Sequence, residues 1–500
     1  MNRMPPPLPD SPRKPRYGQR MHGIMVAEYT TKNFWLLLFP LIRGLLALQF
    51  DLFSWVRGAW FDLLIVGALL GMAVLRWYST SYEIHPTGIL IRRGVLADTR
   101  LFLPLSKLAS ASLEASFPYR MIGAVRIRLE TDAGSRRRSD FRATVSVPKA
   151  RELLDALQHG DVSVAGSTSF HYQPVWLHLL LFSILSSDSL SGVLISSTFL
   201  SLTGAFVGRS LSDEVLATIS EFAAGIAVNI PPIAVMLSII LLGGWLFSFV
   251  RNVLRYLRFH LWRDAKTSNI RIETGFFARR VYQLNLRHIH VLDMRQTLLT
   301  KLLRVASVYV SCAGYGKAKE ERAILVPATG KKNVLSVLRN LLPEWMPADR
   351  KSSENVRPPA ASFLAYTGTA LAFSLGIPAA AMLLTHFFSL LYSFILWTAI
   401  LAEIPALWAL ALGCTNFGSA GVALHSDRLT LRYARGLTLH TVVVPLHKIS
   451  QLTVRQSLFQ RPSKCCDILL YALAEGTSRH RVRGLTLDQA HALRDKLLRK

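Results

Sequence analysis

The chain has 500 residues, 51% of them hydrophobic and only 18% charged, yet its formal net charge is +27. A soluble protein usually carries about 25% charged residues, so this composition argues against an ordinary water-soluble globule. Its four cysteines (Cys312, Cys414, Cys465 and Cys466) offer neither a CxxC pair nor ligand spacing with histidine, which speaks against a disulfide framework or a metal site.

Residues 1–32 read as a basic, Pro-rich cytoplasmic tail, with no apolar core of the kind a cleavable signal needs. Crossing a bilayer takes about 20 mostly apolar residues. Apolar stretches place helix pairs at 33–78, 174–251 and 360–414. Lys and Arg gather outside the pairs: Arg13, Lys14, Arg16 and Arg20 before the first, and Arg76, Arg92 and Arg93 after it. Arg251, Arg255 and Arg258 follow the second pair, and Arg350 and Lys351 precede the third. The positive-inside rule then puts both termini and all intervening domains in the cytoplasm. Arg43 and Glu403 fall inside expected spans, where charge is costly. Such charges are few and unpatterned, so a transporter or channel built from six helices stands as the alternative reading.

Three segments following the helix pairs, at 79–165, 258–346 and 418–500, repeat one pattern. Gly94, Gly275 and Gly436 align within one residue as the turn of a first hairpin. Leu105-Ser106-Lys107, Leu286-Arg287-His288 and Leu446-His447-Lys448 follow the second strand. Ala115, Gln296 and Gln456 come next, and then Arg120, Lys301 and Arg461. From that basic position the copies run without gaps into a strand through Ile127, Val308 and Ile468. Alternation such as Tyr282, Leu284, Leu286 has the period of half-buried strands. The stretches from Val147, Gly330 and Leu485 have helical spacing, so each copy is a run of strands closed by one helix.

Gln296-Thr297-Leu298-Leu299-Thr300-Lys301 and Gln456-Ser457-Leu458-Phe459-Gln460-Arg461 resemble the motif of the bacterial membrane-flanked, pleckstrin-homology-like domain family, in its YdbT-like, three-domain branch. The first copy departs from the motif at Ala115, Phe117 and Pro118. The resemblance implies an α/β membrane protein: three helical-hairpin transmembrane pairs alternating with three pleckstrin-homology-like β-barrel domains. It associates no catalytic residues or cofactor with the chain, and its general association is with envelope-stress or export-related responses.

No Walker A loop, GxSxG, HExxH or dinucleotide fingerprint is present, so no enzyme activity, cofactor or metal is expected. Without a helix-turn-helix, zinc-finger or ribonucleoprotein motif, no nucleic-acid partner is expected either. His288 and His290, two apart, are expected to share an exposed strand face. Arg279, Arg280, Arg287, Arg295, Lys301, Arg304 and Arg461 are the candidate binding residues for anionic lipid headgroups or a protein partner. Arg136-Arg137-Arg138 and Arg479, Arg481 and Arg483 are expected in hairpins of the first and third copies. The reading is a non-enzymatic membrane scaffold whose partners are the bilayer, another membrane protein or a second copy of itself.

Overall fold

The computed structural model describes residues 19–32, 60–131, 140–159, 169–186, 232–263, 269–315, 323–348, 355–473 and 478–498, apart from positions 86, 96 and 426. It divides into two compact units, residues 1–165 with 266–268, and 166–265 with 269–500. The fold is mixed α/β with antiparallel sheets.

In the first unit, β1 (Gln19–Arg20), β2 (Ser81–His85), β3 (Gly88–Arg93) and β4 (Thr99–Pro104) pair in succession, and β5 (Leu108–Ala115), β6 (Ala124–Thr131) and β7 (Phe141–Ser146) do the same. Helix α1 (Met25–Lys32) precedes the apolar helix α2 (Trp60–Tyr78). The short α3 (Phe117–Met121) joins β5 to β6, and α4 (Val147–His159) closes the copy. Residues 19–32, assigned to the tail from sequence, therefore form a strand and a helix. Glu28 on α1 fixes that helix to the second sheet: it accepts from Thr144 Oγ1 at 2.7 Å, Tyr119 Oη at 2.8 Å and Arg126 Nη2 at 2.9 Å. Burial pushes its carboxyl up, but these bonds outweigh burial and hold it below the usual carboxylate range.

The second unit holds copies two and three. In copy two, β8 (Phe170–Tyr172), β9 (His260–Arg263), β10 (Asn269–Thr274) and β11 (Arg279–Asn285) pair in succession. They are followed by β12 (Ile289–Thr297), β13 (Val305–Cys312) and β14 (Ile324–Gly330). Its helices are α5 (Trp176–Ser186) and α6 (Pro232–Tyr256), then the short α7 (Leu298–Leu302) and the closing α8 (Lys331–Leu341). Copy three has β15 (Asn355–Val356), β16 (Gly421–His425), β17 (Arg428–Arg435) and β18 (Thr438–Pro445), then β19 (Ile449–Arg455), β20 (Cys465–Ala472) and β21 (Ser478–Thr486). Its helices are α9 (Phe363–Phe387), α10 (Tyr392–Ser419) and the closing α11 (Leu487–Leu498).

In each copy a short strand (β1, β8, β15) precedes the described apolar helices and pairs with the first strand after them. The apolar helices are thus inserted between the first two strands of a sheet. Strands of two or three residues carry no legible period, so the pre-helix strands cannot be read from sequence.

Among the described residues, two helices are long and apolar enough to cross a membrane, at Ala360–Phe387 and Thr398–Ser419; Leu64–Tyr78 is a shorter apolar helix. This corrects the expectation of six such helices. The first expected span (Arg43 included) and most of the third lie outside the described residues. In the last pair the break between helices falls at 388–391.

Copies two and three share one sheet. β12 pairs antiparallel with β18 from Leu292↔Val443 to Thr297↔Thr438, giving the strand order β14-β13-β12-β18-β17-β16-β15. Leu292, Met294, Val442 and Val443 are all buried at that junction, and Val291 joins the core of copy three with Leu431, Val444, Ile468 and Leu485.

Candidate functional site

The recurring motif builds a corner. Gln296 Nε2 donates to the Val305 carbonyl at 2.7 Å, and Gln456 Nε2 donates to the Cys465 carbonyl at 3.1 Å. Each glutamine thereby ties the end of one strand to the start of the next. Thr297 with Thr300, and Ser457 with Gln460, form capping boxes on the intervening turn. In the first copy Ala115 has no such side chain, and Pro118 stiffens the first turn of α3 instead. The corner ends in a left-handed residue at the same position of each copy: Gly123 (φ 65°), Arg304 (φ 55°) and Lys464 (φ 49°). The carbonyl of each accepts from the residue that opens, or immediately precedes, the closing helix: Val147, Lys331 or Leu487. The motif therefore specifies fold, and its glutamines face the chain's own backbone.

The structure distributes the seven candidate cations over separate places. Arg279, on β11, donates to Glu273 at 2.9 Å, and Arg271 donates to the same carboxylate at 2.6 Å. Burial pushes the Glu273 carboxyl up, but the two arginines outweigh that and hold it below its ordinary range. Arg280 is half-buried on the same strand. Arg287 is exposed in the 3₁₀ turn past the other end of β11, a strand about 20 Å long. Arg295, on β12, donates to Asp293 at 2.6 Å and stacks 4.1 Å from the Tyr309 ring. Lys301 Nζ reaches the Thr415 carbonyl near the end of α10 at 3.4 Å. Arg304 and Arg461 are exposed at the corners of copies two and three. One continuous basic face is thus not what the fold makes.

One further expectation changes. His288 sits in the 3₁₀ turn and His290 is buried at a β-bulge of β12, so they do not share a strand face. The bulge recurs between Leu108 and Ser110 and between Ile449 and Gln451. Arg479, Arg481 and Arg483 lie on β21 of the β20–β21 hairpin, and Arg481 pairs with the buried Asp467 at 2.6 Å; Arg136-Arg137-Arg138 lie outside the described residues.

A different pattern emerges at the hairpin that the aligned glycines turn in each copy (β3–β4, β10–β11 and β17–β18). It is not the first hairpin expected from sequence but follows the β2–β3, β9–β10 and β16–β17 pairs. Its tip exposes an apolar side chain flanked by arginine: Val95 (55% exposed) after Arg92-Arg93, Phe277 (55%) before Arg279-Arg280, and Leu437 (61%) after Arg435. In copy two the tip is bonded to the end of the apolar helix. Gly275 N donates to the Leu257 carbonyl at 3.0 Å and Phe276 N to Leu254 at 3.1 Å, while Arg258 lies 5.2 Å from the Phe276 ring. Gly275 (φ 100°) is required there, because a Cβ would sit 2.1 Å from the Ala278 carbonyl oxygen. In copy one Arg93, Gly94 and Val95 line a cavity of about 900 Å³ with Met72, Leu75 and Arg76 of α2. Apolar tips beside arginine suit the boundary between hydrocarbon and anionic headgroup. The sequence marks the glycines of these turns and the arginines of the first two, but not the apolar residue beside them, whose exposure is a property of the folded hairpin.

A model of the bacterial PH domain matches residues 40–161, 214–345 and 370–500. The chain belongs to the bacterial PH domain family. The domain is repeated three times, and each match takes in apolar helix residues as well as strands. No curated protein and no solved structure gives a significant match.

Proposed function

We propose that this bacterial PH domain protein is a non-enzymatic scaffold of the bacterial inner membrane, held there by its apolar helices, with all three domains on the cytoplasmic face. The β3–β4, β10–β11 and β17–β18 hairpins rest on the anionic leaflet, and the domains bind lipid headgroups while presenting their outer strands to protein partners. The observation that carries the reading is the threefold recurrence of an exposed apolar tip beside arginine, bonded in copy two to the end of an apolar helix. Each lysine or arginine near an anionic surface contributes about 1 kcal/mol, reduced by salt. With the domains already tethered at the bilayer, weak intrinsic affinity is enough. Arg279 and Arg280 are the headgroup contacts of copy two under this reading, and Lys301 lies near the end of α10.

Glu403 has a different role here from a transport residue. Its Oε1 accepts from Ser374 Oγ at 2.6 Å, tying α10 to α9, as polar side chains commonly do between membrane helices.

The test uses the full chain with Cys414→Ser and Phe277→Cys, labelled with an environment-sensitive dye and reconstituted in nanodiscs. Quenching by a lipid-borne quencher is expected, stronger in anionic than in zwitterionic discs and weakened by salt. Emission typical of water in both lipids sinks the interfacial placement of the tip and leaves its arginines as topology determinants only.

A further inference from the structure

Strand β19 of copy three is the counterpart of β12, and β4 of copy one is the counterpart of β18, by the repeat that aligns Lys448 with His288 and Lys107 with Lys448. The pair β12–β18 joins two copies through a six-residue antiparallel ladder. Among the described residues, β19 pairs only with β20 and β4 only with β3. Each has an open row of backbone donors and acceptors, a ready template for another strand.

Side chains mark the same two edges. Val442 and Val443 are fully buried on β18, whereas their counterparts Leu101 and Phe102 on β4 are 41% and 44% exposed. Leu292 and Met294 are buried on β12, whereas Leu452 and Val454 on β19 are only half-buried. The apolar residues that the β12–β18 ladder covers are therefore present on β4 and β19 and lack that cover.

We propose that β19 of one chain adds to β4 of a second copy, reproducing the β12–β18 junction between molecules. Transferred through the repeat, the observed register places Leu452 opposite Phe102, Thr453 opposite Leu101 and Arg455 opposite Thr99. Asp98, exposed and one residue along, then supplies a carboxylate beside Arg455, which is itself exposed. This charge pair replaces Asp293 and His440 of the internal junction, with the acid on the other strand. The donor and acceptor surfaces differ, so the contact is heterologous, and its repetition makes a closed ring or an open row. Strand addition uses backbone bonds for affinity and alternate side chains for register. The proposal rests on the repeat and the open edges, and it holds whether or not the hairpin tips touch lipid.

The test uses full-length chains with Cys414→Ser, co-expressed with two different tags, one bearing Thr99→Cys and the other Arg455→Cys. Both positions are exposed, so neither substitution disturbs a core. Mild oxidation of intact cells is expected to give the mixed-tag dimer as the dominant linked product, whereas Thr99→Cys with Gln451→Cys, four residues out of register, gives little. A single chain carrying both cysteines is expected to give a ladder of multimers. Absence of the mixed-tag dimer, equal linking by the out-of-register pair, or linking confined within one chain overturns the proposal.

Discussion

His440 Nδ1 lies 3.0 Å from Asp293 Oδ2, so that β18 of copy three is joined to β12 of copy two by side chains as well as by the backbone ladder. Asp293 also accepts from Arg295 Nε at 2.6 Å, and His440 stacks on the Tyr433 ring at 5.3 Å. Burial pushes the Asp293 carboxyl up, but His440 and Arg295 outweigh it and keep it below its ordinary value. A carboxylate can only accept, so His440 donates from Nδ1. Breaking a buried pair by removing one partner costs about 3–5 kcal/mol. Asp293→Ala is therefore expected to loosen this junction selectively. Hydrogen exchange should speed up in peptides covering β12 and β18 and stay unchanged in those covering β2 and β3. Because the folded carboxyl is held low, its contribution persists above the ordinary carboxylate range and fades only as pH falls through the lower folded value. Unchanged exchange in β12 would mean that the backbone ladder alone holds the copies together.

His480 gives the same cluster a second acid response of the same sign, at higher pH. Its Nδ1 is 2.6 Å from the Tyr433 hydroxyl. Burial is the main cause that pushes its pKa down to about 4, with Asp293 offsetting part of that and His440, Arg435 and Arg295 adding to it. The fold holds this ring neutral, while the unfolded chain protonates it below about pH 6.5. Stability from the neutral ring is complete above that pH and declines as pH falls toward the folded value. The loss should reach about 2 kcal/mol between pH 7 and pH 5. His480→Asn keeps an acceptor for Tyr433 and should flatten this part of the profile, read as melting temperature against pH. An equally steep decline in the variant would assign the acid sensitivity elsewhere.

The corner glutamines are expected to matter for stability and not for lipid. Gln456→Ala removes one hydrogen bond to the Cys465 carbonyl, a loss of about 1 kcal/mol, and the natural Ala115 of copy one shows that the corner can form without it. Thermal melts should fall slightly, while quenching of a dye at position 277 stays at the parent level. A variant with unchanged melting and lost quenching would turn the motif into a binding element.

Much of the fold was legible because its signals are local. The glycine turns, the alternation along β11 and β18 and the spacing from Gln296 to Val308 repeat in the chain itself, and the family match agrees with the three copies they define. The β12–β18 junction was not legible, since Leu292 and Val443 are ordinary strand residues whose partner is set by tertiary pairing. The placement of the candidate cations was not legible for a related reason: arginines close in sequence, such as Arg279 and Arg287, stand at opposite ends of one strand. Charge density along a chain does not report which cations meet carboxylates such as Glu273 and Asp293 after folding.

Two left-handed glycines of copy three separate steric cost from conformational cost. Gly484 (φ 66°) donates its N–H to Asp467 at 3.0 Å, and a Cβ there would sit 2.6 Å from Ser362 Cβ, just before α9. Next to it, the Arg483 carbonyl accepts from Tyr366 Oη of α9. Gly436 (φ 59°) has open space around its missing Cβ. Gly436→Ala should therefore lose only the left-handed penalty, about 1 kcal/mol. Gly484→Ala carries that penalty and must also push β21 away from the start of α9, for a total of about 2–4 kcal/mol. Paired thermal melts in the same detergent check the difference, and hydrogen exchange should rise in β21 only for the second variant. Equal losses at the two positions would mean that the close approach of β21 to Ser362 contributes nothing to holding copy three on its helix pair.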